Sequence, residues 1–428
     1  MSQCRIAVVG SGIAGLSAAW LLAHRHSVTL FEANDYLGGH TNTVDVAVDG
    51  VTHPVDTGFL VFNDRTYPNL VALFRHLGVR AAASDMSFSV RLDDEGIEWA
   101  GSSVATVFAQ KRNLVRPEFW SMLGDILRFN REASKLAQGG LDPSYTVARF
   151  LDERRYGRPF RDWYLLPMAA AIWSCPTEQM LAYPAQTLFR FCHNHGLLQI
   201  SNRPPWRTVV GGGREYVRRL ADHIDDVRLA TPVTRVRRGD ALVEVETASR
   251  RVERFDHVVL ACHSDQSLEL LADASAAESE LLGSIRYESN LALLHTDASL
   301  LPRSRDAWSA WNYHAGRGNP AKRPVSVSYL INKLQPLPFT TPVVVTLNPT
   351  AAPRPESVLA RFDYAHPAFD GPAIEAQRKL QGIQGRRRTW FCGAWTGYGF
   401  HEDGLKAGLA VANALGCFAP WQAQEAAA

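Results

Sequence analysis

The residues best placed to do chemistry stand near the start of the chain. Gly10, Gly12 and Gly15 fall in the spacing GxGxxG, directly after the apolar run Ile6–Val9. Ile13–Ala23, rich in Ala and Leu, follows as a predicted helix. Glycines at this spacing allow a tight bend, close backbone approach to a pyrophosphate, and close packing of helix on strand. The helix N-terminus adds free N–H groups and the positive end of its dipole. Ser11, Ile13 and Ala14 belong to the same turn. A second predicted strand, Ser27–Glu32, ends on Glu32, 17 residues beyond Gly15. A carboxylate there, with Ala33 beside it, accepts hydrogen bonds from an adenosine ribose. Strand, glycine turn, helix, strand and acid occur in the order a dinucleotide site needs.

Other reactive residues are less telling. His193-Asn194-His195 places two imidazoles at i and i+2 without a carboxylate, a poor metal site, and no metal is expected. Six cysteines (Cys4, Cys175, Cys192, Cys262, Cys392, Cys417) are scattered without a CxxC pair. That suits reduced thiols in a cytosolic protein. Cys392 reads as a small buried filler. No GxSxG element supports serine hydrolysis.

The elements that must position the glycine turn are those of an α/β chain. Its 428 residues suggest two domains, and 46% hydrophobic residues suffice for a large core. A net charge of +2 gives no reason to expect nucleic acid. The N-terminus shows no basic region with a cleavage site. Leu165–Trp173 comes closest to a membrane span and is too short. Tyr67–Leu77, Trp120–Ala137, Ala148–Tyr156 and Arg214–Ile224 read as helices. Val227–Leu229, Val233–Val236, Leu242–Thr247, Arg251–Phe255, Val258–Ala261, Leu291–His295, Val325–Leu330 and Val343–Leu347 read as strands. Residues 1–84, 206–283 and 389–428 have the texture of a discontinuous dinucleotide-binding domain. Residues 85–205, mostly helical in pattern, and 284–388 read as an inserted α+β substrate domain. A ligand cleft is expected between the two, beyond the carboxyl ends of the strands.

Gly38-Gly39-His40-Thr41 resembles the glycine pair that follows the ribose acid in glutathione-reductase-like flavoproteins, which implies FAD rather than NAD. The whole arrangement resembles the flavin amine oxidase and phytoene desaturase superfamily. The C-terminal residues Trp390-Phe391-Cys392-Gly393-Ala394 and Gly399-Phe400-His401-Glu402-Asp403-Gly404 carry that likeness. It implies a Rossmann-like FAD domain in which Gly393 and Ala394 approach the ribityl phosphate. The Asp403 and Gly404 amides, with Glu402 beside them, would face the pyrimidine end of the flavin. It implies further that the Val233 backbone holds adenine, and that Asp56-Thr57-Gly58-Phe59 passes the flavin ring. Relatives often carry an acid where Ala394 stands and an arginine where His40 stands. Amine oxidases of the superfamily commonly use a lysine near flavin N5, and the matching stretch, Ser289-Asn290-Leu291-Ala292-Leu293, has none.

His53-Pro54-Val55-Asp56-Thr57-Gly58-Phe59, Trp308-Ser309-Ala310-Trp311-Asn312-Tyr313, Thr346-Leu347-Asn348-Pro349 and Gly399–Gly404 resemble a narrower group. Its members are bacterial FAD-dependent proteins linked with cyclopropane-fatty-acid-synthase-like methyltransferases, some of which desaturate methylated fatty acyl chains. The resemblance therefore implies dehydrogenation of an apolar, methyl-branched acyl chain by hydride transfer to flavin N5. A flavin amine oxidase and a non-catalytic flavin-binding scaffold of a lipid-modifying complex are the alternatives.

Trp163, Tyr164, Trp173, Phe189, Phe191, Trp308, Trp311, Tyr313, Trp395, Tyr398 and Phe400 are candidates to line an apolar pocket or to pack the core. His40 and His401 are candidate proton acceptors or positional hydrogen-bonding groups. An apolar or lipid substrate and an unidentified electron acceptor are the expected partners. Cytoplasmic placement is expected. Basic spots at Arg203-Pro204-Pro205-Trp206-Arg207 and Arg386-Arg387-Arg388 leave room for peripheral contact with an inner membrane face.

Overall fold

A computed structural model describes residues 3–142, 144–173, 177–199, 203–317 and 326–425. Cys175 and Val325 lie outside the described residues. A parallel sheet of five strands carries the glycine turn. From edge to edge the strands are Asp226–Arg228, Ser27–Phe31, Arg5–Val9, His257–Leu260 and Thr389–Phe391. Every neighbouring pair is parallel. A parallel sheet covered on both faces needs nearly continuous apolar strands; Ile6, Ala7, Val8, Val258, Val259 and Leu260 are accordingly fully buried.

The helix Ile13–Ala23 is buried over its first ten residues, as expected of a helix apolar on all sides. It packs on the closing helix, His401–Ala414. A Cβ at Gly408 would lie 2.3 Å from the Ala14 carbonyl oxygen, so the two helices meet backbone to backbone.

A second sheet has seven strands, in the order Val358–Ala368, Arg286–His295, Val344–Leu347, Ser326–Leu330, Trp311–Ala315, Phe88–Leu92 and Ile97–Ala100. Only Trp311–Ala315 and Phe88–Leu92 pair in parallel. The pattern reading of 85–205 as mostly helical misses Phe88–Leu92 and Ile97–Ala100. Both are short; they pair with each other as a hairpin, and Phe88–Leu92 takes a second partner, Trp311–Ala315, far along the chain.

The helices Pro117–Ala137, Leu166–Trp173 and Ala185–Asn194 contribute to an aromatic cluster beside this sheet. The first begins earlier than its periodicity indicates because Pro117 occupies its first turn, where the missing N–H costs nothing. No helix among the described residues is long and apolar enough to cross a membrane. A hairpin, Thr43–Val48 with Val51–Asp56, delivers the Thr57–Phe59 loop to the region between the two large sheets.

Candidate active site

A cavity of about 1770 Å³ runs from the glycine turn to the aromatic cluster. At the turn, Gly10 has φ +100° and donates its N–H to the Phe31 carbonyl at 2.8 Å. A Cβ on Gly15 would lie 1.9 Å from the Gly10 oxygen, so this glycine is required by the protein's own packing. Gly12 is different: a Cβ there would meet nothing within 4 Å. It forms part of the cavity wall, next to Ser11, Ile13 and Ala14. The helix begins at Gly12 without a side-chain cap and without an acid in its first turn, which leaves its positive end to the cavity.

Glu32 closes the second strand and reaches back over the turn. Its Oε2 accepts from Ser11 N (2.9 Å) and Ser11 Oγ (2.5 Å), and its Oε1 from Asn34 N (2.9 Å) and Asn34 Nδ2 (3.0 Å). Ala33 and Val233 line the same end. Gly38 donates to the Ser11 carbonyl at 3.1 Å, which seats the second glycine pair against the first turn.

Further along stand Gly38, Gly39, His40, Gly58, Phe59, Gly393, Ala394 and His401, all in the cavity wall. The imidazole of His401 stacks on Phe59 with centroids 3.7 Å apart and planes 9° from parallel. Its Nε2 lies 2.6 Å from Tyr216 Oη and 3.0 Å from Thr41 Oγ1. Thr41 stands behind the wall and fixes His401. Burial lowers the His401 pKa to about 3 and holds that of His40 well below 6.5, with His366, His263 and His401 adding to the shift. Both rings are neutral at physiological pH.

The closing helix is arranged differently from the expectation. The Asp403 and Gly404 amides, expected to face the cofactor, both donate to the Phe400 carbonyl, at 3.0 and 3.1 Å. The helix opens at His401, so these amides already belong to its first turn. Asp403 Oδ2 accepts from the Tyr398 and Phe400 amides, both at 3.1 Å. Burial raises its pKa to about 6. Glu402 points elsewhere: its carboxylate accepts from Asn69 N, Asn69 Nδ2 and Leu70 N at 2.8–3.1 Å and caps the helix Pro68–Leu77. Tyr398, Gly399, Phe400 and His401 form the cavity wall at this end, whereas Glu402, Asp403, Gly404 and Gly15 do not.

In the remote arm, away from the glycine turn, the lining is rich in apolar side chains, with Ser84, Asp85, Ser87, Ser102 and Arg203 among them. Of the aromatic candidates, Tyr164, Trp173, Phe191, Trp311, Trp395, Tyr398 and Phe400 line the cavity. Trp163, Phe189 and Tyr313 pack in the clusters behind it, and Trp308 packs near Leu301, Leu330 and Val344. Met86, Phe88, Trp99, Met168, Ile172 and Phe362 complete the arm. His195 lines it too, stacked on Phe191 at 4.0 Å. Cys392 is buried in the core, where desolvation pushes its thiol pKa far up. His263, Tyr287, Tyr364 and His366 are wall residues that pattern reading missed. Three are single residues on strands and His263 is a loop residue, so none carries a spacing signal and nothing in the sequence marks them.

Residues 13–297 match the family described as flavin containing amine oxidoreductase. The chain belongs to this family. At the family level it is an FAD-dependent oxidoreductase. The carotenoid phi-ring synthase of Streptomyces griseus is 29% identical over 315 residues, which are 68% of this chain and 57% of that protein. The L-amino-acid oxidase of Pseudechis australis is 53% identical over 47 residues, 11% of this chain and 9% of that protein. The chain thus spans little more than half the length of the first of these relatives and a small part of the second. Among solved structures, the fold matches a CLA-producing fatty acid isomerase from P. acnes with a TM-score of 0.68, at 16% identity, over 96% of this chain and 98% of that one. It matches cyclohexylamine oxidase from Brevibacterium oxydans IH-35A with a TM-score of 0.68, at 18% identity, over 97% and 100%.

The wall of this flavin-family cavity fits FAD. Gly12 leaves open the space that a side chain would fill, at the mouth of an uncapped helix. His40 Nε2, Trp173 Nε1 and Trp311 Nε1 are buried polar atoms without a hydrogen-bond partner among the described residues, and all three residues line the cavity.

Proposed function

We propose that the chain dehydrogenates an apolar, methyl-branched fatty acyl chain, and that it belongs with the flavoproteins linked to cyclopropane-fatty-acid-synthase-like enzymes. The observation that carries this reading is the continuity and size of the cavity. Its volume of about 1770 Å³ exceeds the roughly 300–1,000 Å³ of an ordinary ligand pocket. A dinucleotide stretched along the glycine turn leaves the arm lined by Met86, Phe88, Trp99, Met168, Ile172 and Trp173 for a long apolar ligand. That a fatty acid isomerase has a similar fold supports an acyl substrate.

In this reading the FAD-binding part is 1–84, 206–283 and 389–428, and the substrate part is 85–205 and 284–388. The membership of the two large sheets supports that division. Gly10, Ser11, Gly12, Ile13 and Ala14 hold the pyrophosphate, Glu32 and Ala33 the ribose, and Val233 the adenine. Gly38, Gly39, Gly58, Phe59, Gly393 and Ala394 hold the ring end and the ribityl chain.

Desaturation removes a hydride from one carbon and a proton from its neighbour. When bound, FAD supplies the hydride acceptor at N5. The apolar arm excludes water and aligns the chain. His40, a neutral ring in the cavity wall, takes the proton. His401 holds Phe59 in place.

Anaerobic mixing of the yellow protein with lipids bearing methyl-branched unsaturated chains should bleach the oxidised flavin band. Bleaching by primary or secondary amines alone would select the amine oxidase reading; bleaching by neither would select the scaffold reading. His40→Ala should slow flavin reduction, and an unchanged rate in both His40→Ala and His401→Ala would remove the proton role from both residues.

A further inference from the structure

Two motifs singled out in the sequence, Ser289–Leu293 and Thr346–Pro349, meet behind the cavity wall at His366. Leu291 donates its backbone N–H to Asn348 Oδ1 at 3.0 Å, and the Asn348 amide donates back to the Leu291 carbonyl at 2.8 Å. Asn348 Nδ2 donates to Asn290 Oδ1 at 2.7 Å. Asn290 Nδ2 donates to the Glu288 carbonyl at 2.9 Å and to His366 Nδ1 at 3.0 Å.

Both ends of this chain are anchored on main-chain groups that play one role only. The Leu291 N–H can only donate, which fixes the oxygen of Asn348; the Glu288 carbonyl can only accept, which fixes the nitrogen of Asn290. His366 Nδ1 therefore accepts. Burial brings the His366 pKa down to about 4, with His263 adding to the effect, so the ring is neutral. The one proton of a neutral imidazole then lies on Nε2. That nitrogen has no hydrogen-bond partner among the described residues. The ring is part of the cavity wall, with its centroid 5.3 Å from that of His40.

We propose that the Asn348–Asn290 pair sets the tautomer of His366 and makes it a fixed N–H donor to an acceptor atom that gains negative charge during substrate oxidation. That atom belongs to the cofactor ring or to a substrate oxygen, and the chemistry is the same in both: a preorganised donor aimed at developing charge. Asn348 and Asn290 are positioning residues; His366 is the group in contact. The tautomer follows from the hydrogen-bond chain alone. The donor role rests on the placement of the redox centre beside His40 proposed above.

Long-range ¹H–¹⁵N correlation on holoprotein labelled with ¹⁵N-histidine reads the tautomer directly, with His366→Gln identifying the signal. At neutral pH the wild type should show the Nε2–H form. Asn290→Asp replaces the Nδ2 donor that faces His366 with a carboxylate oxygen, which moves the His366 proton to Nδ1. An Nδ1–H wild type, or an Asn290→Asp variant with an unchanged tautomer, overturns the proposal. Should Asn290→Asp fail to fold, the wild-type spectrum and His366→Leu still decide.

For the donor role, His366→Leu is read in two ways. A more negative flavin midpoint potential without substrate places the acceptor on the cofactor. An unchanged potential with kcat lowered about 100-fold and KM little altered places it on the substrate. His366→Gln, which keeps an N–H, should restore most of either loss. No change in potential or kcat in His366→Leu would refute the donor role, whichever compound serves as substrate.

Discussion

Gly12→Ala and Gly15→Ala lie three residues apart in one turn, and the structure predicts opposite defects. At Gly12 the backbone is extended, with φ −62° and ψ 174°, and an added Cβ meets no protein atom within 4 Å. The substitution should leave the apoprotein as stable as the wild type, or more stable by about 0.4–1 kcal/mol through a stiffer unfolded chain. The new methyl projects into the space assigned to the pyrophosphate. Losing one charge-assisted hydrogen bond costs about 1.5–3 kcal/mol, which weakens FAD binding roughly 10- to 150-fold. At Gly15 the Cβ would lie 1.9 Å from the Gly10 oxygen. Strand and helix must separate, at a cost of about 1–3 kcal/mol or more, with or without cofactor. Denaturant unfolding of the apoproteins and FAD titration by flavin fluorescence separate the two effects. A Gly12→Ala protein that binds FAD like the wild type would refute the assignment of the phosphate site.

Three further outcomes follow from the same geometry. Ile172→Trp fills part of the apolar arm while leaving the glycine turn untouched; FAD content should stay at the wild-type level while flavin reduction by acyl lipid falls at least about tenfold, given that overpacking costs on the order of 1–3 kcal/mol. Glu402→Ala removes the acceptor of three hydrogen bonds that cap the helix Pro68–Leu77, so unfolding should be easier by about 1–3 kcal/mol, with the spectrum of bound flavin unchanged. The third outcome concerns pH. His401 has a folded pKa of about 3 against 6.5 when exposed, so its contribution to stability is present above pH 6.5 and is lost as pH falls from there toward 3, on the order of 5 kcal/mol in all. Asp56 and Asp403, raised by burial to about 6 from 3.8, act in the opposite sense: their contribution is present below pH 3.8 and is lost as pH rises through 6. His401→Gln should therefore flatten the acid limb of a stability profile measured by urea unfolding from pH 7 to pH 4.

What was legible in the sequence was local. The turn at Gly10, Gly12 and Gly15, the helix Ile13–Ala23 and the acid Glu32 are read from spacing because one short stretch of chain both forms and fills that part of the site. The hairpin Val243–Thr247 with Val252–Phe255 was legible for the same reason. The substrate side was not. The hairpin Phe88–Leu92 with Ile97–Ala100 is short and is completed by a distant strand, Trp311–Ala315, and Tyr364 and His366 reach the cavity only because Val358–Ala368 lies against Arg286–His295. The closing helix misled for a subtler reason. The glycine and acid pattern around Asp403 marks a helix start, but which amides remain free depends on whether that start falls at His401 or two residues later, and element boundaries are the weakest part of any pattern reading.

The most direct measurement of the central claim is product mass under anaerobic conditions. FAD-loaded protein mixed with a methyl-branched unsaturated acyl lipid should yield lipid lighter by two hydrogens, one molecule for each flavin reduced, and Ile172→Trp should suppress both signals together. Flavin that is reduced only by an amine, with the acyl lipid recovered at its original mass, would contradict the account.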